Sequence, residues 1–135
     1  MNLEGIDHVA LAVRDVERAA QWYIEVLGFE RRHEGMWGGV PVFIGKRNTA
    51  IALFPIRERP SSAKATAARS PSGVRTDIRM LHLAMRASRN NFLAAQEELK
   101  RRDIDFEFQD HGIAHSIYFR DPDGHKLEIT TYELR

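Results

Sequence analysis

Apolar and polar residues alternate or recur with helical spacing along the first 56 residues, and the pattern predicts one β-α-β-β-β unit. Residues 6–14 alternate strictly, which is typical of a strand because successive side chains point to opposite faces. Asp15 suits a helix N-cap, apolar residues then recur at helical spacing, and Gly28 suits the C-terminal end. We therefore expect a helix over 16–27. β-prone runs follow at 29–34, 40–46 and 49–56.

The second half of the chain repeats this order. Residues 78–86 alternate again, Ser88 suits an N-cap for a second helix, and β-prone runs follow at 104–108, 113–120 and 125–132. The segment HVAL at 8–11 aligns with HLAM at 82–85, an offset of 74 residues. We interpret this as an internal repeat of two β-α-β-β-β modules.

Between the two modules, residues 57–77 combine prolines, serines and mixed charge without an apolar period. A loop of this length inside a domain is uncommon and is often a linker or a lid. We expect one domain over 1–135, with a first module at about 1–56 and a second at about 78–135. The segment 57–77 is either a linker with a partial lid function or plain disorder.

Composition limits the classes of function. The 135 residues are 43% hydrophobic and 29% charged, which is ordinary for a soluble folded domain. A net charge of +1 gives no electrostatic reason to bind nucleic acid or an anionic membrane. Cysteine is absent, so His, Asp and Glu are the only strong metal-ligating side chains. The sequence contains no apolar run of membrane-spanning length, and we expect a cytoplasmic location.

The segment 116–131 reads as a hairpin closed by the turn D-P-D-G at 121–124. Alternation along its second strand places Glu128 on the face opposite Leu127 and Ile129. Taken alone, Glu128 would be a solvent-exposed carboxylate on an edge strand. The repeat aligns it with Ala52, so the two modules differ at this position.

Two histidines occupy equivalent positions in the two opening strands. His8 and His82 share a face with small residues, namely Ala10, Ala12 and Ala84. Such residues suggest a cup with space for a ligand, because a filled interior would use larger side chains. With Glu128 the histidines would form a 2-His-1-carboxylate metal site with open coordination positions. Each histidine taken singly also fits an ordinary core or rim position.

The same residues carry a family resemblance. The segments IDHVALAVRD at 6–15, WYIEVLGF at 22–29, LHLA at 81–84 and YFRDPDGHKLEI at 118–129 resemble the vicinal oxygen chelate superfamily. This superfamily includes glyoxalase I, fosfomycin-resistance enzymes, extradiol dioxygenases and bleomycin-resistance proteins. The resemblance implies an α+β fold whose two modules form a cup-shaped mixed sheet around one divalent metal. It also implies a homodimer with sites shared between chains and a small-molecule substrate.

Carried over residue by residue, the resemblance places the metal ligands at His8, His82 and Glu128. Glyoxalase I adds a fourth carboxylate ligand at the place that Ala52 occupies here, so a three-ligand site is expected. Tyr118 is the candidate general acid or hydrogen-bond donor to the substrate, and cross-strand packing is its alternative role.

Three further histidines could act as a neighbouring base, but for each we favour an exposed loop position; they are His33, His111 and His115. We also expect His125 to be a solvated hairpin residue. Arg14 shares the pocket side of its strand, and we expect it at the rim.

The leading hypothesis is a metalloenzyme of the glyoxalase/dioxygenase type. Its metal, Fe²⁺, Mn²⁺, Ni²⁺ or Zn²⁺, would chelate two neighbouring substrate oxygens and act as a Lewis acid. A metal-free protein that binds a bleomycin-type antibiotic is the first alternative. A fosfomycin-modifying enzyme is the second.

Overall fold

The computed structural model describes residues 1–56 and 79–135. The segment predicted as linker or lid, 57–77, lies outside the described residues. Within them, two helices and eight strands follow one another in the order predicted from the repeat. The α+β fold class is therefore confirmed.

The first module consists of β1 (Val9–Val13), α1 (Val16–Leu27), β2 (Glu30–Arg32), β3 (Val42–Lys46) and β4 (Thr49–Pro55), with a single 3₁₀ turn at Trp37–Gly39. The second module consists of β5 (Leu83–Arg86), α2 (Arg89–Arg101), β6 (Glu107–Asp110), β7 (His115–Arg120) and β8 (Lys126–Thr131). Neither helix is long and apolar enough to cross a membrane within the described ranges.

Each module forms one four-stranded mixed sheet. The strand orders are β1-β4-β3-β2 and β5-β8-β7-β6, with the first pair of each sheet parallel and the others antiparallel. Ala10 lies opposite Ala52 in the first sheet, and Ala84 lies opposite Glu128 in the second. The register thus gives Glu128 and Ala52 equivalent places, as the repeat predicts.

Local capping signals set the helix ends. The Asp15 side chain accepts a hydrogen bond from the backbone N–H of Arg18, and Gly28 closes α1 with a left-handed φ of 70°. Glycine suits that conformation because it has no Cβ to clash. Ser88 caps α2 by accepting from the N–H of Asn91. Both helices begin where the sequence predicts.

One hydrophobic core joins the two modules. It contains Leu11, Val13 and Tyr23 of the first module together with Phe119 and Leu127 of the second. On β1 and β8, Leu11, Val13 and Leu127 lie on the apolar faces of alternating strands, and Tyr23 lies on the buried face of α1. The modules therefore pack through the helix-bearing sides of their sheets, and the opposite faces stay open; we call these the first and second open faces.

One consequence of the alternation over 78–86 is wrong. The pattern puts Leu81 on the face that covers the helix of the second module, but the Leu81 side chain is exposed. Among the described residues the strand is Leu83–Arg86, and Leu83 lies opposite Leu127 near the start of β8. Because β8 itself starts at Lys126, earlier residues have almost no partner strand to join.

Candidate metal centre and its surroundings

The D-P-D-G turn fixes the start of β8, the strand that carries Glu128. The Asp121 carboxylate is buried and accepts hydrogen bonds from the backbone N–H groups of Asp123 and His125, both at 2.9 Å, and from the Tyr23 hydroxyl at 2.7 Å. The Gly124 N–H donates to the Asp121 carbonyl, and Gly124 has the predicted positive φ, 91°. Sequence reasoning overlooked Asp121, although Asp is a favoured first residue of such turns.

The contact between Tyr23 and Asp121 also affects the phenol. Burial, and then the negative charge of Asp121, raise the pKa of Tyr23 far above its usual value. The hydroxyl therefore stays protonated and donates to the carboxylate. The turn is tied in this way to the helix of the other module.

Glu128 and His82 are neighbours on the second open face. Glu128 is 7% exposed as a residue and lies between Ala84 on β5 and Tyr118 on β7. The His82 Nε2 atom is 3.0 Å from the Glu128 Oε2 atom. Two of the three predicted ligands thus meet within one chain.

Tyr118 extends this group. It lies directly opposite Glu128 in the β7–β8 ladder, and its ring centroid is 5.8 Å from that of His82. Removal from water, and then the Glu128 carboxylate, raise the pKa of the Tyr118 phenol above its ordinary value. The phenol is therefore protonated at neutral pH and is able to donate a hydrogen bond.

His111 contacts this tyrosine. Its Nε2 atom is 3.0 Å from the Tyr118 hydroxyl oxygen. The expected exposed position of His111 is correct, but the sequence pattern did not indicate this contact. The turn before β7 brings the two residues together, since the backbone N–H of His111 donates to the Ala114 carbonyl.

His8 lies on the first open face, apart from the other two candidates. Its Nδ1 atom is 2.7 Å from the Asp7 Oδ2 atom, and its ring centroid is 5.0 Å from that of Phe43. Across residues 1–56 and 79–135 of one chain, no three His, Asp or Glu side chains lie close enough together to hold a metal. The structure brings together His82, Glu128 and Tyr118, and does not bring His8 to them within the chain.

Two expectations about the hairpin region need correction. His125, expected to be solvated, is half-buried, and its Nε2 atom is 2.9 Å from the Ala12 carbonyl oxygen. Arg14, expected at the pocket rim, binds the Asp123 carboxylate and the Pro122 carbonyl. Both differences have one cause: the hairpin turn docks against the end of β1, so these side chains join the modules.

Comparison with known proteins agrees with this architecture. The model of the Glyoxalase/Bleomycin resistance protein/Dioxygenase superfamily matches residues 5–129. The metallothiol transferase FosB of Staphylococcus epidermidis is 27% identical over 98% of this chain and 86% of its own length. FosB of Lysinibacillus sphaericus is 26% identical over 100% of this chain and 87% of its own length.

Solved structures share the fold at lower identity. Lactoylglutathione lyase from Agrobacterium tumefaciens has a TM-score of 0.71 and 20% identity, covering 99% of this chain and 98% of that one. The fosfomycin resistance protein FosX from Mesorhizobium loti has a TM-score of 0.64 and 21% identity, covering 96% and 93%. From the family match over nearly its whole length, together with the paired modules, the chain belongs to the Glyoxalase/Bleomycin resistance protein/Dioxygenase superfamily.

Proposed function

We propose that this protein is a divalent-metal-dependent enzyme that acts on a small substrate with two neighbouring oxygen atoms. The observation that carries the proposal is the 3.0 Å approach of His82 Nε2 to Glu128 Oε2 on an open sheet face. Two ligands that are each about 2.1 Å from a metal, with a right angle between them, are about 3.0 Å apart. The pair therefore already has the spacing of adjacent metal ligands.

His8 has the surroundings of a third ligand. Its Nδ1 atom faces the Asp7 carboxylate, which leaves Nε2 free to bind a metal. Metal-binding histidines commonly have a carboxylate on the other ring nitrogen, which fixes the tautomer and the ring orientation. Imidazole nitrogens with one carboxylate suit Fe²⁺, Mn²⁺, Ni²⁺ and Zn²⁺.

We infer that each site takes His82 and Glu128 from one subunit and His8 from the partner subunit. Within one chain, His8 directly precedes β1 of the first sheet, whereas His82 directly precedes β5 and Glu128 lies on β8 of the second sheet. The first and second open faces both point away from the shared core, so a homodimer that pairs the first face of one copy with the second face of the other would assemble all three. Symmetry would then give two equal sites.

A bound metal would polarise the substrate oxygens as a Lewis acid. The residues of the chain supply the rest of the chemistry. Tyr118 keeps its proton at neutral pH, because its pKa is raised by removal from water and by Glu128, and it lies where it can donate a hydrogen bond to an oxygen bound beside Glu128. The His111 Nε2 atom, 3.0 Å from the Tyr118 hydroxyl oxygen, helps to hold the phenol in place.

A thiol transfer to fosfomycin is a narrower version of this function. The FosB relatives, named metallothiol transferases, support it through their 26–27% identity over almost the whole chain. Ala52 occupies the place where glyoxalase I has its fourth carboxylate ligand, and its methyl group cannot bind a metal. This difference favours thiol transfer over lactoylglutathione lyase activity.

A metal-free binding protein is the second candidate. The same two residues favour this candidate. At 3.0 Å, His82 and Glu128 can pair with each other directly, so neither needs a metal as a partner. The cup would then bind an antibiotic or another small ligand by shape alone. Metal binding distinguishes the two candidates directly.

Calorimetric titration of chelator-treated protein with Mn²⁺, Fe²⁺, Ni²⁺ and Zn²⁺ tests the proposal. We expect one metal per chain. A complete four-ligand zinc site contributes about 10–16 kcal/mol, so each ligand contributes about one quarter of that. Loss of one ligand in Glu128→Gln should therefore weaken metal binding by about 100- to 1,000-fold. Glu107→Gln is the matched control, because Glu107 lies on the same face across Tyr118. Unchanged affinity in Glu128→Gln, or no metal uptake by the parent protein, would refute the proposed site.

Mixing two inactive variants tests whether sites are shared. In a shared-site dimer, His8→Ala and His82→Ala complement each other, and random assortment restores about one quarter of the metal sites. If all three ligands came from one chain, the mixture would restore none. Sedimentation of the parent protein provides the accompanying measurement of the dimer.

A further inference from the structure

Four rings gather on the first open face. Phe43 is at the centre, with its ring centroid 5.0 Å from that of His8, 5.3 Å from Trp37 and 5.4 Å from His33. These separations are those of favourable aromatic pairs. We call these four residues the aromatic cluster.

The aromatic cluster adjoins the proposed metal site through a floor of small side chains. Phe43 lies opposite Ala52, and Ala52 lies opposite Ala10, two residues after His8. Towards β4 and β1 the face beside Phe43 therefore carries methyl groups, while the ring of the proposed ligand His8 contacts Phe43 directly.

Trp37 is presented to solvent although it is the largest side chain of the cluster. It is 53% exposed, and its backbone has a positive φ of 54°. Non-glycine residues rarely adopt that conformation, and where they do they are often found at ligand sites. Trp37 does not belong to the buried core that holds the described residues together.

There is space for one ring next to Phe43. A cavity of about 180 Å³ borders two members of the aromatic cluster, His33 and Phe43, but neither Trp37 nor His8. The rest of its lining comes from the loop before β3 and from charged side chains, among them Glu17, Arg31, Arg32 and Glu34. An engineered cavity of about 150 Å³ in another protein takes up benzene. The volume beside the cluster is therefore sufficient for a six-membered aromatic ring.

We propose that the aromatic cluster binds a planar aromatic ring of the substrate, so that the enzyme prefers oxygen chelators with an aryl substituent over aliphatic ones. The inference rests on the proposed function, because the substrate oxygens would be held by the metal at His8, His82 and Glu128. The aromatic cluster would bind the part of the substrate that the metal does not contact. Trp37 and Phe43 select the ring, and His8 links the ring-binding and metal-binding parts.

Mandelate and lactate test this preference, because they present the same hydroxyl and carboxylate to a metal and differ in phenyl against methyl. With Mn²⁺- and Zn²⁺-loaded protein, we expect calorimetry to give at least about 10-fold tighter binding of mandelate, the effect of burying a ring. Trp37→Ala should remove most of this preference and leave lactate affinity unchanged. Val40→Ala is the control, since Val40 lies in the same loop, is 45% exposed and does not line the cavity beside Phe43.

Several outcomes would overturn the inference. Equal affinity for the two acids in metal-loaded protein, or equal weakening of both in Trp37→Ala, would do so. A change in solution mass of Trp37→Ala without a change in the mandelate-to-lactate ratio would instead assign the cluster to contact between copies.

A metal-free experiment separates failure of this inference from failure of the proposed function. The chain has two tryptophans, so Trp22→Phe leaves Trp37 as the sole reporter of fluorescence. Phenylacetate should quench Trp37 in metal-free protein, and acetate should not. If no metal binds but phenylacetate quenches, the metal function fails and the ring site stands; if metal binds and phenylacetate has no effect, the ring site fails alone.

Discussion

The two open faces have the same backbone plan and opposite chemistry. The first carries alanines and the aromatic cluster, whereas the second carries His82, Tyr118 and Glu128. The clearest difference is at one register position, where Ala52 lies opposite Ala10 and Glu128 lies opposite Ala84. In a repeated fold, one position therefore holds a methyl group in one module and a carboxylate in the other.

The surroundings explain why each module accepts its own residue. Glu128 is nearly buried, but His82 and Tyr118 are next to it. Ala52 is 1% exposed, and its neighbours across the ladders are Ala10 and Phe43. A buried carboxylate needs a hydrogen-bonding or charged partner, and the second face provides one where the first does not.

The largest expected effect is that of Ala52→Glu, which places the residue type of the second open face on the first. A carboxylate beside Phe43 would be buried without a partner, and we expect metal-free protein to lose about 3–5 kcal/mol of unfolding free energy at pH 7. The loss should shrink on acidification, as the carboxyl group becomes protonated. Urea denaturation at pH 7 and pH 4 measures both values.

Ala50→Glu is the matched control for that exchange. Ala50 is two residues away on the same strand and lies opposite Gly45, and the Arg32 guanidinium covers Gly45. An added carboxylate would find a cation there, so we expect a loss below about 1 kcal/mol. Equal losses in the two variants would show that the difference between the faces does not depend on partners.

The next largest effect concerns the contact that holds the modules together. Tyr23→Phe removes the buried hydrogen bond to Asp121, and we expect a loss of about 1.5–3 kcal/mol because the acceptor is charged. Tyr132→Phe is the control, since Tyr132 is exposed. A similar loss in both variants would contradict a specific role for this contact.

The same tyrosine gives a pH dependence with a definite sign. The pKa of Tyr23 is raised in the folded chain, by burial and then by Asp121. An acid whose pKa is higher in the folded than in the unfolded chain contributes to stability. This contribution is fully present below the unfolded pKa, about 10, and is lost as the pH rises beyond it. Unfolding free energy should therefore fall above about pH 10 in the parent protein, and less steeply in Tyr23→Phe.

Local sequence signals predicted most of the fold, and they could not predict contacts between distant elements. Asp15 and Gly28 marked both ends of α1, and alternation placed Glu128 on the correct face. The contact between Tyr23 and Asp121 joins residues 98 apart, and the one between His111 and Tyr118 depends on how a turn folds back. A strand pattern defines a face but does not identify the residue that lies across it.

The fourth prediction concerns the second open face and the proton of Tyr118. The pKa of this phenol is raised by removal from water and by Glu128, so Glu128→Gln should lower it towards the usual value of about 10. The difference in ultraviolet tyrosinate absorbance between each background and its Tyr118→Phe derivative isolates this residue. Ala52→Gly, on the other face, should not move the titration, and a shift as large as that in Glu128→Gln would contradict the assigned cause.

The smallest expected effect is that of the ion pair between the modules, in which the arginine is exposed. The Arg14 side chain is 71% exposed and its Nε atom is 3.0 Å from an Asp123 carboxylate oxygen. Arg14→Ala should cost about 0.2–1 kcal/mol of unfolding free energy and less at high salt, since water and ions screen such pairs. Asp123→Ala should cost more, because the same oxygen also accepts the backbone N–H of Arg14 at 2.9 Å. If the two variants lost equal stability in urea at low and high salt, the charge rather than the backbone hydrogen bond would hold the hairpin against β1, and the docking of Glu128's strand would be electrostatic.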